Sequence, residues 1–461
     1  MSKERRVVIV GAGITGLTAA FGILGDSNQP TSVTVLEAQP RVGGLIKSSP
    51  FAGLPAVDEA VDAFLTRVPW GVQLAADLGL AGAMTSPTGV GAYVWHKGLH
   101  EIPSDVMMGV PAKISAFALS GLFSPAGKLR AAMEPLLPRL PHDDSIGKLM
   151  RRRFGREIHE RLTDPLVGSI YAGDTDRFSL EAVPQINALT SGRSLLVQAA
   201  KARSAPAQAG SPFTTPLKGM GSLIETLAAR VQSLGADIRT GSPVREITRT
   251  RDGYLVLTND AAVECDAVVL ATPARHTAGF VAALDSAASQ QLATWDHASV
   301  VMVTMSVSPS QWNPEWTGSG YLVPKPDQRW VTAASFGSNK WAHWNPADGS
   351  KILRVSLGRD GMDVMHHDDD ALLNLTLADL KHHLGVDFSP IETRLTRWTE
   401  SFPQYRPHHF QKLAQLEAGL ATSAPGLFLA GASYRGIGVP ACVQQGRTAA
   451  ANVIAHLDTR S

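Results

Sequence analysis

Residues 6–16 of the chain read RVVIVGAGITG, and they predict a strand, a glycine-rich turn and the start of a helix. The apolar run that ends at Val10 is typical of a buried parallel strand. In the G-x-G-x-x-G turn, Gly11 permits the tight bend, Gly13 lets the backbone approach a pyrophosphate, and Gly16 lets the helix pack closely on the strand. The positive end of the helix would then bind the pyrophosphate. This stretch predicts an α/β, doubly wound domain with a dinucleotide site.

A second motif lies at the end of the next predicted strand, Ser32–Leu36. That strand runs into Glu37, where an acid would bind ribose hydroxyls and would disfavour the 2′-phosphate of NADP. Arg41, Gly43 and Gly44 complete the pattern E-x-x-x-R-x-G-G. Two adjacent glycines allow unusual dihedral angles and a close backbone approach, as a loop around a long cofactor requires. The combination favours FAD over NAD.

The composition is that of a globular protein, and it excludes several functional classes. The 461 residues exceed one ordinary domain, and 44% of them are hydrophobic, enough for a large core. The formal net charge of +1 provides no general field for binding nucleic acid. Two distant cysteines, Cys265 and Cys442, exclude a disulfide framework and a cysteine zinc site, and they indicate a reducing compartment. No stretch reads as a membrane-spanning helix, so we expect a cytoplasmic protein that is at most peripheral to a membrane.

The predicted elements change character along the chain, which indicates discontinuous domains. Residues 86–213 read mainly as helices, and strands return from Gly235 onward. A last strand, Leu427–Ala430, leads through a glycine loop into the predicted helix Ala441–Leu457 and so returns the chain to the first fold. The predicted domains are an FAD-binding domain of residues 1–85, 214–285 and 396–461, a helical domain of residues 86–213, and a β-rich substrate-binding domain of residues 286–395.

Five segments, spread over nearly the full length, carry a specific resemblance. They are the glycine turn, the E-x-x-x-R-x-G-G loop, IYAGD at residues 170–174, RWTESFPQY at residues 397–405, and the loop Gly431–Gln445. In these segments the chain resembles the protoporphyrinogen and coproporphyrinogen oxidase family, and most of all the coproporphyrinogen III oxidases of Gram-positive bacteria. The resemblance implies an amine-oxidase-like fold with an FAD-binding domain, a mixed β-sheet substrate domain and a helical domain.

The resemblance also implies which residues hold non-covalent FAD. Val244 would contact the adenine end through its backbone, and Trp398 would approach the isoalloxazine ring. The N-terminus of the last helix would stabilise negative charge on the reduced ring. Ala60 departs from the glycine that the family often has there. The full set of predicted cofactor contacts is Gly11, Ala12, Gly13, Ile14, Thr15, Gly16, Glu37, Ala38, Arg41, Gly43, Gly44, Ala60, Val61, Asp62, Ala63, Val244, Trp398, Ile437, Gly438 and Val439.

On the substrate side the family pattern is incomplete. In the eukaryotic protoporphyrinogen enzymes, an arginine before an L-H-x-L-P-like stretch meets a substrate propionate. Here the stretch is Leu99–Pro103, the aligned position is about Gly91, and no arginine occurs anywhere from Val68 to Leu129. Other cations or water must therefore meet the propionates. The candidate substrate contacts are Tyr171, Arg67 and Lys340, although each of the two cations is more often a surface charge.

The resemblance implies a reaction that the cofactor carries. It is the oxygen-dependent, six-electron oxidation of coproporphyrinogen III to coproporphyrin III in haem biosynthesis, with release of hydrogen peroxide and handover of the product to the next enzyme. Flavin chemistry explains why the sequence contains no triad and no paired carboxylates, and no catalytic residue is assigned. The alternatives are a protoporphyrinogen IX oxidase, an amine oxidase or carotenoid desaturase of the same fold, and a flavin-free binding protein.

Several polar clusters are interpreted without a metal. The run His366–Asp370 immediately precedes the helical pattern Ala371–Leu384, and carboxylates are favourable at a helix N-terminus, so capping explains them. The pairs His382–His383 and His408–His409 lie on polar segments and are predicted to be solvated. Asp174, which follows the Tyr-Ala-Gly loop, is either a functional residue or a capping residue.

Overall fold

A five-stranded parallel sheet carries the glycine-rich turn. The computed structural model of the protein describes residues 4–138, 144–204 and 210–460. From edge to edge, the strands are Asp237–Arg239, Thr31–Leu36, Arg5–Val10, Ala267–Leu270 and Leu427–Leu429. Each neighbouring pair is parallel. Strands from the start, the middle and the end of the chain therefore build one sheet, as the sequence predicts.

Alternate residues of the central strand serve two separate cores. Val7 and Ile9 pack into one core, whereas Val8 and Val10 pack into the other, because successive side chains of a strand point to opposite faces. The helices on the first face are Ile14–Asp26, Met220–Ser233 and Val439–Asp458. Those on the second face are Ala274–Val281, Ser286–Ala293 and His409–Ser423. The predicted doubly wound α/β fold is confirmed.

A three-stranded antiparallel sheet also covers the second face. Its strands are Val244–Arg249, Tyr254–Thr258 and Ala262–Cys265. The backbone N–H of Thr250 donates to the carbonyl of Gly253 at 3.0 Å, which closes the hairpin that the Asp-Gly pair predicts. Ile247 and Val256 of this sheet pack into the same buried core as Val8 and Val10 of the five-stranded sheet.

A seven-stranded sheet forms the β-rich part of the molecule. In order, its strands are Glu392–Pro403, His297–Val307, Lys351–Leu357, Val331–Phe336, Gly320–Leu322, Tyr93–Trp95 and Leu99–Glu101. All neighbours are antiparallel except Gly320–Leu322 and Tyr93–Trp95. The last two strands lie within the stretch that the sequence predicts to be mainly helical. The predicted domain limits stay a prediction.

A helical region packs around its own core of buried apolar residues, among them Phe154 and Phe178. Its α-helices are Ile114–Leu119, Pro125–Ala132, Ile146–Phe154, Arg156–Ile158, Asp164–Tyr171, Pro184–Asn187 and Leu195–Ser204, and a π-helical turn covers His159–Thr163. The helix Asp164–Tyr171 ends at Ala172, which adopts a left-handed φ of +47°. The loop Tyr171–Asp174 begins there, and Tyr171 packs against the edge of this core.

Shorter elements complete the described chain. The remaining strands are Ser48–Phe51 with Leu54–Asp58, Phe64–Leu65 with Phe213–Pro216 and Met84–Thr85, and Val106–Met107 with Val110–Pro111. The remaining α-helices are Pro69–Asp77, Gly337–Lys340, Asp369–Leu384 and Ala432–Arg435. Single 3₁₀ turns lie at Ala81–Ala83, Glu134–Leu136, Leu180–Ala182, Ala188–Ser191, Pro309–Gln311 and Lys325–Asp327.

The polar clusters divide between confirmed and corrected predictions. Asp368 caps the helix Asp369–Leu384, because its carboxylate accepts the N–H of Ala371 at 2.8 Å, so the capping prediction is confirmed. The prediction that both histidine pairs are solvated is wrong for one member of each. His383 and His409 are buried, and burial lowers the pKa of each to about 4.

The burial of His383 and His409 was not predicted because their neighbours in the sequence are polar. His383 lies on the inner side of its helix and contacts the hydroxyl of Tyr321 at 3.1 Å, and the Nε2 atom of His409 lies 2.9 Å from the carbonyl of Tyr434. Each buried imidazole therefore has a polar partner, as buried polar groups generally do. Within residues 4–138, 144–204 and 210–460, none of the helices has the length and apolar character needed to cross a membrane.

Candidate functional site

The three glycines of the first turn have different surroundings. Gly11 has a φ of +103°, and a Cβ atom there would lie 2.7 Å from the carbonyl oxygen of Ala271. A Cβ atom on Gly16 would clash with the backbone oxygen of Gly11. Gly13 has a φ of −72°, and nothing lies within 4 Å of its Cβ position. The protein itself therefore requires Gly11 and Gly16, whereas Gly13 faces open space of the kind that a bound pyrophosphate needs.

Glu37 ties the turn to the next strand. Its Oε2 atom accepts the N–H of Ala12 at 2.8 Å, and its Oε1 atom accepts the N–H of Gln39 at 2.8 Å. The side chain is buried, with only 8% of the residue exposed. Each carboxylate oxygen can accept a further hydrogen bond, so a ribose hydroxyl can still bind there. The N–H of Ser242 also donates to the Glu37 carbonyl at 2.8 Å, which brings the strand that opens with Val244 towards this end of the site.

The loop after Glu37 folds over the glycine turn. The N–H of Gly43 donates to the carbonyl of Ala12 at 2.8 Å, and Gly43 and Gly44 have φ values of +107° and +56°. Arg41 donates to the carbonyl of Gly44 at 2.6 Å, and to two further carbonyls of the same loop. The guanidinium therefore holds the loop in shape, so its contribution to a cofactor site includes building this loop.

A partly buried cluster of charges connects the loop of residues 60–63 with the seven-stranded sheet. The Asp62 carboxylate lies 2.7 Å from Lys340 Nζ and 3.3 Å from a guanidinium nitrogen of Arg354, and it accepts the indole N–H of Trp341 at 3.2 Å. Burial alone would raise the pKa of Asp62, but the charges of Lys340 and Arg354 outweigh it and lower the pKa to about 2. Arg354 also donates to the carbonyl of Ala60 at 2.6 Å. The loop therefore has a defined position against the sheet.

Trp398 lies beside the same loop. It belongs to the edge strand Glu392–Pro403, is 8% exposed, and points its indole N–H at the carbonyl of Glu59 at 3.5 Å. This contact places a large flat side chain next to Ala60, the first residue of the predicted loop. Sequence reasoning missed Arg354, although an arginine inside the apolar strand Lys351–Leu357 is a visible signal of a buried ion pair.

The end of the chain returns to the glycine turn. Gly431 has a φ of +127°, and its N–H donates to the side chain of Gln445 at 3.2 Å. A Cβ atom on Gly446 would lie 2.5 Å from the carbonyl of Thr15, so the last helix packs tightly on the first. Neither helix has a side-chain cap or an acidic residue in its first turn. Two helix N-termini therefore remain available for the negative charge of a ligand.

The three candidate substrate contacts have different surroundings. Tyr171 is half-buried, its ring centroid lies 4.8 Å from that of Phe178, and burial raises the pKa of its phenol to about 12. Lys340 is engaged by Asp62, as described above, and is less available to a propionate. Arg67 is exposed and has no ion-pair partner among residues 4–138, 144–204 and 210–460. Its cationic head is therefore the freest of the three groups.

Asp174 is occupied by contacts within the protein. Its Oδ2 atom lies 2.6 Å from Lys325 Nζ, and its Oδ1 atom accepts the N–H of Asp176 at 3.1 Å. The carboxylate therefore stabilises the turn after the Tyr-Ala-Gly sequence and links it to the seven-stranded sheet region. Of the two interpretations that the sequence leaves open, these contacts favour the local structural one.

Comparison with known proteins identifies the family. The model of the family described as flavin containing amine oxidoreductase matches residues 14–454. The chain is 33% identical to the coproporphyrinogen III oxidase of Bacillus subtilis, over 98% of this chain and 99% of the other. It is 30% identical to the coproporphyrinogen III oxidase of Staphylococcus aureus, over 98% of this chain and 100% of the other. The chain belongs to the coproporphyrinogen III oxidase family of flavoproteins.

One solved structure has the same fold over nearly the whole chain. A structure described as a putative protoporphyrinogen oxidase from Exiguobacterium superposes on the present chain with a TM-score of 0.87. The two chains are 27% identical over 98% of this chain and 99% of the other. The predicted resemblance and the predicted FAD cofactor are thereby confirmed. The flavin-free alternative is set aside.

The geometry of this family member fits FAD. The open space above Gly13, the carboxylate of Glu37 and the two uncapped helix N-termini lie on segments that contact one another. The pyrophosphate matches the open space and the first helix N-terminus, the ribose matches Glu37, and a ring that becomes negatively charged on reduction matches the second helix N-terminus.

Cys265 and Cys442 are free and buried, so neither forms a disulfide in this fold.

Proposed function

We propose that this protein oxidises coproporphyrinogen III to coproporphyrin III in haem biosynthesis, with dioxygen as electron acceptor and hydrogen peroxide as the second product. The coarser assignment, an FAD-dependent porphyrinogen oxidase, rests on family membership. The observation that carries the finer one is the 33% identity, over practically the full length of both chains, with a relative named coproporphyrinogen III oxidase.

The overall reaction removes six electrons and six protons from the porphyrinogen. Three dioxygen molecules accept them and become three molecules of hydrogen peroxide, so the atoms and the electrons balance. Bound FAD would supply the two-electron hydride acceptor for each round. The chain itself then has to bind and orient the cofactor and hold the substrate against it, and no catalytic acid or base is assigned among its residues.

The proposed cofactor contacts follow from the geometry. The backbone at Gly13 and the N-terminus of the helix Ile14–Asp26 would bind the pyrophosphate, and Glu37 would accept hydrogen bonds from the ribose. The N-terminus of the helix Val439–Asp458 would stabilise negative charge on the reduced ring. Arg41 would act by holding its loop in place around the cofactor.

On the substrate side, exposed and partly solvated contacts fit a tetracarboxylate. A dicarboxylate in a narrow pocket gains from one fixed bidentate arginine, and no arginine occurs from Val68 to Leu129. Arg67 offers a free charge at the surface, where each ion pair contributes about 0–1 kcal/mol. The phenol of Tyr171 is neutral, and its hydroxyl, which donates to the carbonyl of Ala182 at 3.4 Å, can still accept a hydrogen bond. We further propose that the protein contacts a membrane only peripherally and passes its porphyrin product to the next enzyme of the pathway.

Protoporphyrinogen IX oxidation is the second candidate function. It is favoured by the structural likeness to a protein described as a putative protoporphyrinogen oxidase. The two functions differ in the number of carboxylates on the substrate, so the two substrates can be compared directly in one assay.

The experiment supplies both porphyrinogens, prepared without oxygen, to the holoenzyme and follows porphyrin fluorescence and oxygen uptake after air is admitted. We expect a higher kcat/KM for coproporphyrinogen III, with about three O₂ consumed per porphyrin formed, as the six-electron balance requires. A preference for protoporphyrinogen IX would move the assignment to the second candidate. Formation of neither porphyrin would contradict porphyrinogen oxidation altogether.

A further inference from the structure

Two adjacent buried residues connect the cofactor side of the molecule with the substrate side. Gln404 and Tyr405 follow directly after the edge strand Glu392–Pro403 and are 4% and 1% exposed. Neither belongs to the predicted cofactor or substrate contacts. Each uses its polar end to bind the backbone of a different loop.

Tyr405 binds the loop that precedes the last helix. Its hydroxyl donates to the carbonyl of Ala432 and accepts the N–H of Gly436 at 3.0 Å. These two backbone groups bracket the bend between the strand Leu427–Leu429 and the residues Ile437 to Val439. Burial raises the pKa of this phenol well above its ordinary value, so the hydroxyl keeps the proton that it donates.

Gln404 binds the loop of the IYAGD motif. Its Nε2 atom donates to the carbonyl of Tyr171 at 3.0 Å and to that of Phe402 at 3.0 Å. The next residue of that loop, Ala172, has the left-handed φ of +47°, which a non-glycine residue adopts only when its surroundings hold it there. The guanidinium of Arg359 also donates a hydrogen bond to this loop, at the carbonyl of Gly173.

The preceding strand adds a third contact to this arrangement. Trp398 in the strand Glu392–Pro403 meets the carbonyl of Glu59, beside the loop of residues 60–63. One short segment thus contacts three loops that are far apart in sequence. Because adjacent residues of a chain are held about 3.8 Å apart by covalent geometry, a dipeptide that grips two loops sets their spacing.

We propose that Gln404 and Tyr405 form a positioning pair. Tyr405 holds the Ala432–Gly436 bend so that the backbone of Ile437, Gly438 and Val439 meets the flavin at a fixed place, and Gln404 holds the Tyr171 loop at a fixed place relative to it. The Gln404 half rests on the proposed function, because it concerns the porphyrinogen. The Tyr405 half concerns only FAD binding, so the two can fail separately.

The first test replaces Tyr405 by phenylalanine and measures FAD affinity. The control is Tyr254→Phe, which removes another buried hydroxyl bound to a backbone carbonyl, that of Pro425 at 2.9 Å, outside the site. Apoprotein is titrated with FAD, and the flavin midpoint potential and the melting temperature of the apoprotein are recorded. We expect the Kd for FAD to rise about fivefold to tenfold in Tyr405→Phe alone, together with a changed potential.

The outcome separates positioning from general stability. Both hydroxyl deletions lower the melting temperature of the apoprotein, because each leaves a backbone group without its partner. If Tyr405→Phe has the same FAD affinity and the same potential as the wild type, Tyr405 is only structural and the proposal is overturned. If both variants weaken FAD binding equally, the proposal is overturned as well.

The second test replaces Gln404 by methionine, which has a similar length and no donor. The control is Gln311→Met, which removes a bond to the carbonyl of Asp387 at 2.9 Å, beyond the Val307 end of the strand whose other end pairs with Pro403. We expect kcat/KM for coproporphyrinogen III to fall about tenfold in Gln404→Met, with the Kd for FAD within about twofold of the wild type. Equal activity in both variants would refute the role of Gln404, whereas an inactive wild type would refute the proposed function instead.

Discussion

The cofactor side and the substrate side of this molecule use different chemical groups to form a site. On the cofactor side, backbone groups of Gly13, Gly43 and Gly44 and two helix N-termini surround the open space. On the substrate side, the candidates are the side chains of Tyr171, Arg67 and Lys340. Backbone sites depend on local dihedral angles, and side-chain sites depend on which distant segments meet. The former can therefore be recognised in a short motif, whereas the latter cannot.

The largest expected effect breaks the cofactor side alone. Gly13→Val should abolish FAD loading while the protein still folds, because the Cβ position of Gly13 faces open space and its φ suits any residue. The measurement is flavin absorbance of the purified protein, together with its far-UV circular dichroism. Gly25→Val, at another glycine of the same helix with nothing near its Cβ position, is the matched control and should load fully. A yellow, fully loaded Gly13→Val protein would contradict the assignment of this turn to pyrophosphate binding.

The next effect concerns the connection between the two sides. Asp62→Asn leaves the guanidinium of Arg354, which is 3% exposed, without its charged partner. Removing one partner of a fully buried pair costs about 3–5 kcal/mol, and because the side chain of Asp62 is 17% exposed, denaturant unfolding should show a smaller loss of about 2 kcal/mol. Asp387→Asn breaks an exposed pair with Lys381 and should cost about 0–1 kcal/mol. Equal losses in the two variants would show that the Asp62 pair has no special role.

A smaller effect is the pH dependence that Asp62 contributes. Its pKa in the folded protein is about 2, below the ordinary value of 3.8, so the stability that it contributes is present above about pH 4. That contribution should be lost as the pH falls from about 4 towards 2, because the unfolded chain takes up the proton first. The free energy of unfolding is measured from pH 5 to pH 2.5 for the wild type and for Asp62→Asn. Parallel curves would contradict the lowered pKa.

The smallest effect concerns the substrate side. Arg67→Ala should raise the KM for coproporphyrinogen III about twofold to fivefold and leave kcat and FAD binding unchanged, because one exposed ion pair contributes at most about 1 kcal/mol. Arg251→Ala removes another exposed arginine, in the hairpin turn, and should change neither constant. The result is checked at two salt concentrations, since screening should reduce the difference. An unchanged KM would remove Arg67 from the candidates.

Much of the fold is predictable because its signals are local. The Asp-Gly hairpin, the cap at Asp368 and the strand that ends at Val10 each depend on a few neighbouring residues, and all three are confirmed. The predicted solvation of His383 and His409 is wrong because polar neighbours describe the average exposure of a segment. They do not reveal which side of the helix faces the core.

The sequence by itself determined the glycine turn, Glu37 and the family, because those features need particular residue types at fixed spacings along one stretch of chain. Only the tertiary structure decided that Asp62 meets Lys340 and Arg354 and that Gln404 and Tyr405 hold two different loops. The physical reason is that these contacts join residues from 31 to 292 positions apart. Their energies depend on burial and distance, and both arise only when the sheets and helices have packed.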